Sequence, residues 1–161
     1  MSVEWIEPII DRTIEDVNEA KRQIKLWKNE YLKGNSMVTY ELKGCLNVSD
    51  INRIEGNIRY LAETLSSLSY PVGVYTKAWD ISSVPTQSDI DRVILNINNL
   101  IRGFYQRDVA DLPTSISTYS DLNAIEDNLK GLKDMLDDMT NCFRVSGTFN
   151  SGTRNIVPIR R

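Results

Sequence analysis

The sequence predicts an all-α fold, a four-helix bundle-like domain built from four similar helices with an extended arm at each end. Two observations carry this. Four stretches open on Thr or Asn, two residues, then Asp: Thr13-Ile14-Glu15-Asp16, Asn47-Val48-Ser49-Asp50, Thr86-Gln87-Ser88-Asp89 and Thr118-Tyr119-Ser120-Asp121. After each Asp, apolar residues step by three and four. The opening has the form of a capping box: the N-cap oxygen accepts from a free backbone N–H, and the acid three residues on reaches back. That acid also complements the positive end of the helix dipole. The 3-4 stepping makes one apolar face, as helices packed at shallow angles require.

The elements follow in chain order. Residues 1–12 read as an N-terminal arm whose Trp5 and Pro8 pack on the helices. The helical domain covers 13–142. Its first helix, near 13–32, has the weakest seam: Val17, Ala20, Ile24, Trp27 and Tyr31. The second, near 47–68, has the clearest: Ile51, Ile54, Ile58, Leu61, Leu65 and Leu68. The third, near 86–106, carries Ile90, Val93, Ile97, Leu100 and Phe104, and the fourth, near 118–141, carries Leu122, Ile125, Leu129, Leu132, Leu136 and Met139. Each spans about 30 Å at 1.5 Å per residue, so the layers of a bundle can align. Gly56, Gly103 and Gly131 inside these patterns suggest close helix approach or, for Gly103, a fraying end.

The connections are long. The middle one, Tyr70 to Pro85, holds Tyr75 and Trp79 among Val72, Val74, Ile81 and Val84. It is too apolar for a solvated loop, and packing across a bundle face is expected, with a short strand near Val72 to Tyr75. From Phe143 the helical period ends, and 143–161 reads as an extended C-terminal arm. The candidate partner-docking residues are Tyr75 and Trp79 in the middle connection and Arg144, Phe149, Arg154, Ile156, Ile159, Arg160 and Arg161 in this arm.

The chain has 161 residues and a net charge of −3. Beyond Asp138 four arginines and no acid remain, so the tail is +4 and the rest −7. Net acidity argues against a general nucleic-acid coat, although a basic arm can reach an acidic neighbour, another copy or phosphates. Cys45 and Cys142 are far apart, which suggests buried thiols in a reducing compartment. No apolar run approaches the roughly 20 residues of a membrane span. The acidic start lacks a signal peptide's basic and apolar regions, so manufacture in a cytoplasm without an export route of its own is expected.

The chain has no histidine. This removes the commonest general base and zinc ligand, and with them any Ser-His-Asp or Cys-His pair. No glycine-rich phosphate loop is present. Asp50-Ile51-Asn52, Asp89-Ile90-Asp91 and Asp121-Leu122-Asn123 superficially match the start of a calcium loop, but lack its glycine and closing Glu, and their place at helix starts explains them as caps. No enzyme activity, cofactor, metal or small-molecule substrate is expected. Arg53 with Asn57 and Glu55 with Arg59 read as ordinary helix-surface pairs. Asn57, Asn96 and Asn128 recur just before a seam residue, and two readings stand: bonds to neighbouring helices or arm backbone, or solvated flanks.

Trp5-Ile6-Glu7-Pro8-Ile9-Ile10-Asp11-Arg12-Thr13, followed by Asp16-Val17, resembles the N-terminal region of small structural proteins of tailed phages and prophages of Gram-positive bacteria. So does Leu42-Lys43-Gly44-Cys45-Leu46-Asn47 running into Asp50-Ile51-Asn52-Arg53-Ile54-Glu55-Gly56-Asn57 and Tyr60-Leu61. In those proteins an Asn-Arg-Ile-Glu element and a tryptophan before the third helix recur, and Trp79 matches the latter. The resemblance covers residues 4 to 105. It implies a virion component of the tail, baseplate or fibre region, made in the host bacterial cytoplasm, partnered by its own copies and other virion proteins, with no catalytic residues. Two alternatives stand beside it: a head-tail connector touching nucleic acid through the basic arm, and a host-surface binding protein acting through the aromatic middle connection.

Overall fold

A computed structural model describes residues 3–35, 41–103 and 111–145, and these described residues are all-α with four helices: α1 (Ile14–Leu32), α2 (Val48–Ser67), α3 (Gln87–Gly103) and α4 (Tyr119–Val145). Each begins one residue after its predicted cap. The carboxylates of Asp16, Asp50, Asp89 and Asp121 accept from the backbone N–H of Thr13, Asn47, Thr86 and Thr118 at 2.8, 2.9, 3.0 and 2.8 Å. Thr13, Thr86 and Thr118 return the favour, their hydroxyls accepting from the third N–H of the helix. Asn47 instead spends its amide on the carbonyls of Leu42 and Cys45, which closes the loop before α2. At the far end α1 stops where Gly34 takes the left-handed conformation that glycine adopts most readily. The fourth helix runs to Val145 and so takes in the first three residues of the expected C-terminal arm, the rest of which lies outside the described residues.

The core is drawn from α2, α3 and α4. Ile54, Ile58, Leu61, Leu65, Val93, Ile97, Leu100, Ile125, Leu129, Leu132 and Leu136 are all buried in one cluster. These are the predicted seams of the last three helices. The first helix stands apart: Ala20 is its one buried residue, and the seam residues Ile24 and Tyr31 are exposed. It touches the rest at its first turns, where Gly44 lies against its backbone: a Cβ there would sit 2.1 Å from the Asp16 carbonyl oxygen. Gly103 also marks a close approach, to the Val72 side chain of the middle connection, with Leu65 of α2 only at ordinary contact distance. Gly56 faces open space.

The middle connection packs across the bundle as expected, through Val72, Val74 and the buried Trp79. It forms no strand. Residues 71–80 are in no helix, strand or turn, and their backbone is hydrogen-bonded to side chains of the helices. Among the described residues no helix is long and apolar enough to cross a membrane.

Candidate docking site: two grooves gripped by asparagine

Counted from the capping Asp, the second residue of each core helix is Asn52, Asp91 or Asn123, and the seventh is Asn57, Asn96 or Asn128. Four of these hold backbone that is in neither helix nor strand, all in one way. The Asn57 Oδ1 accepts from the Ile6 N–H at 3.0 Å while its Nδ2 donates to the Ile6 carbonyl at 2.7 Å. Asn96 grips Tyr75 (3.0 and 2.7 Å), Asn52 grips Trp79 (2.9 and 2.9 Å) and Asn123 grips Arg12 (3.3 and 2.9 Å). A carboxamide carries the donor and acceptor of a peptide group, so it pairs with both groups of one residue as a neighbouring strand would. This satisfies extended backbone that packs against the bundle without a sheet.

The clamps define two grooves. The N-terminal arm lies between α2 and α4, held by Asn57 and Asn123, with the Ile9 N–H on Glu126 at 2.8 Å. The middle connection lies between α2 and α3, held by Asn52 and Asn96, with Asn99 on the Gly73 carbonyl. In each groove the seventh residue of one helix works with the second residue of its neighbour. In the third groove, between α3 and α4, the corresponding second residue is Asp91, which has no N–H to give. There Gln87 donates to the Thr114 carbonyl, and Leu112 and Ile116 pack on the core.

The charges repeat the pattern. Arg53 of α2 pairs with Glu126 of α4, and Arg92 of α3 pairs with Glu55 of α2. The corresponding third pair is Ala124 and Ile94, neither of them charged. Arg53 and Glu55 are therefore buried cross-helix partners and not the surface pairs expected. The sequence spacing put each beside an i,i+4 neighbour but could not show that their helix face is turned inward.

Beneath the N-terminal arm these charges form a network. One oxygen of Asp50 and one of Glu126 each accept from both Arg12 and Arg53, at 2.6 to 2.8 Å. All four residues are buried. Burial opposes ionisation of Asp50, yet bonds from Asn47 and Arg53 and the charge of Arg12 hold its carboxyl below the usual value. Burial likewise opposes the charge on Arg53, and the bonds to Glu126 and Asp50 outweigh it, so its pKa is raised. The two cations and two anions balance in charge, and the set anchors the arm through Arg12, whose buried Nε alone in the network has no hydrogen-bond partner.

A cleft of about 430 Å³ opens between the starts of α1 and α4, lined by Arg12, Val17, Cys45, Tyr119 and Leu122 among others. Its guanidinium is already committed to Asp50 and Glu126. Burial and then the Asp50 charge push the Cys45 thiol above its ordinary pKa, away from the thiolate a nucleophile needs. Cys45 is half-buried and Cys142 exposed, so the expected burial of both thiols does not hold, and they form no disulfide with each other. No group of three or more metal-ligating side chains occurs among the described residues.

The candidate docking residues separate. Tyr75 is 74% exposed, as a contact residue must be. Trp79 is withdrawn: its backbone is clamped by Asn52 and its indole N–H donates to Glu55 at 3.3 Å, so it belongs to the framework and not to an exposed face. Beside Tyr75, the exposed large apolar residues of that connection are Tyr70, Ile81 and Val84, none of them among the expected docking residues. The side chain of Arg144, and Phe149, Arg154, Ile156, Ile159, Arg160 and Arg161, lie outside the described residues. The clamping asparagines have a visible signal, their recurrence at one offset from the cap; the arm-backbone reading holds for Asn57, whereas Asn96 holds the middle connection and Asn128 donates to the Ala124 carbonyl of its own helix. Comparison with family models, curated proteins and solved structures finds no match.

Proposed function

We propose that the chain is a non-enzymatic structural building block of a phage virion, of the tail or baseplate region, which docks to neighbouring subunits through its helices and arms. The observation that supports this reading is what the resembling residues do. Trp5, Arg12, Asn52, Arg53, Glu55, Asn57 and Trp79 are the residues that seat extended chain in the grooves. Their common task is to hold extended segments on a rigid bundle, which suits a subunit that interlocks with others; none is placed to act on a small molecule. The test is to tag the chain, induce particle production and analyse purified particles by mass spectrometry. Recovery in fixed proportion to other virion proteins, resistant to salt washing, is expected. Presence in the lysate but absence from particles overturns the reading.

A second reading, attachment to a host surface, is favoured by Tyr75, Ile81 and Val84, an exposed apolar set on a connection clamped from behind. Particles carrying Tyr75→Ser with normal assembly and lost adsorption are its expected result; unchanged adsorption removes it.

A further inference from the structure

We propose that the exposed apolar and basic side of α1 docks on the outer face of α4 in a second copy, head to tail; this rests on the reading of the chain as a subunit of an assembly. The inner side of α1 carries Val17, Ala20, Gln23 and Trp27, all buried or half-buried. On the same seam, away from the first turns, Ile24 and Tyr31 are 46% and 66% exposed, and Ile14 and Leu32 lie exposed on the side that adjoins Val17. Lys21, Lys25 and Lys28 are interleaved with them and exposed, and none makes an ion pair among the described residues. At 3.6 residues per turn the acids Glu15, Asp16, Glu19 and Glu30 fall on other sides of the helix. The free face is therefore apolar and wholly basic.

That sign excludes pairing with another α1, which would set lysine on lysine. The complementary surface is on α4. Asp127, Asp134 and Asp138 are exposed, share one narrow stripe, and make no ion pair among the described residues. Gly131 lies between them and half-buried Met135 borders them, giving close approach and apolar contact. Lys21 to Lys28 and Asp127 to Asp134 are both seven residues, about 10 Å along a helix, so two pairs form in one register. An anionic membrane or a nucleic acid would also meet the lysines, but the acidic remainder of the chain repels both. Because the two faces differ, each copy can give one and receive on the other, which builds a ring or a filament.

The test uses the full chain and two triple reversals, K21E/K25E/K28E and D127K/D134K/D138K. All six positions are exposed, so the thermal midpoints are expected to stay near that of the unaltered chain. Sedimentation in low salt should show concentration-dependent association that weakens as salt is added. Either reversal alone should raise the dissociation constant at least about tenfold, and an equal mixture of the two should restore association, because each altered face then meets its complement. A chain that stays monomeric, association indifferent to either reversal, a mixture without rescue, or binding to anionic lipid vesicles in place of self-association each overturns the proposal. A monomeric chain still recovered in purified particles overturns this contact alone; absence from particles, whatever the self-association, overturns the assembly reading on which it rests.

Discussion

Asn57 of α2 and Ile6 of the N-terminal arm are joined by two hydrogen bonds, from backbone N–H to side-chain oxygen and from side-chain NH₂ to backbone carbonyl. The two residues are 51 apart in sequence, and the pair closes the arm onto the bundle. Asn57 is 1% exposed, so water cannot stand in for either partner. Asn57→Ala should therefore cost about 1–3 kcal/mol, since it removes the partner of both backbone groups of Ile6. Asn57→Asp should cost more, because it loses the donor and buries a charge. Urea unfolding at neutral pH measures both.

The buried network makes a sharper prediction. Glu126 accepts from Arg12, Arg53 and the Ile9 N–H. Glu126→Ala leaves two buried guanidinium groups short of a partner and should lower stability by about 3–5 kcal/mol. The double variant Glu126→Leu with Arg53→Met, which removes charge in balance, should recover part of the loss. Equal losses in the single and double variants would show that the charges are not coupled.

Acid should loosen the helix starts and the arm anchor together. Asp50 is held below its usual value against the cost of burial, and hydrogen bonds from the Thr86 hydroxyl and then its N–H bring Asp89 down to about 2. A carboxyl depressed in the folded state stabilises fully above its unfolded value and loses that contribution as pH falls through the folded one. The denaturation midpoint should be flat above about pH 5 and fall below about pH 4. Asp50→Asn should unfold more easily at neutral pH and show a shallower fall in acid.

Gly44→Ala should be disruptive although Gly44 lies in a loop. An added Cβ would overlap the Asp16 carbonyl and the Val17 nitrogen, which are backbone atoms that cannot swing aside. The loop or the start of α1 must shift, at a cost of about 1–3 kcal/mol. Gly56→Ala, with open space around it, should instead be neutral or stabilising, as alanine is the better helix former. A melting comparison of the two separates close approach from helix propensity.

The capping sequences and seams made the helices legible, because both signals are local and periodic. Ile54, Ile97 and Leu129 stand at the centre of the core where their spacing placed them. The first helix is where the same pattern misleads. Its cap is formed as predicted, but a 3-4 seam says only that one face is apolar and not what covers it, and Ile24 and Tyr31 remain exposed. The grooves were half legible. The recurrence of Asn57, Asn96 and Asn128 is visible in the sequence, whereas Asn52 and Asn123 read as part of the caps. Which backbone each one grips depends on pairings 21 to 111 residues apart, and no local spacing encodes those. Glu126, the most connected acid, carried no signal at all: an acid one position from a buried stripe reads as surface until the arm is laid over it.

Amide hydrogen exchange tests the central claim, that asparagine side chains hold non-helical chain in the grooves. The N–H groups of Ile6, Arg12, Tyr75 and Trp79 belong to no helix or strand, yet each is donated to an asparagine carboxamide. They should exchange far more slowly than free loop amides, and Asn57→Ala should release Ile6 while Tyr75 and Trp79 remain protected. Exchange of all four at the rate of an unstructured peptide in the unaltered chain would contradict the account.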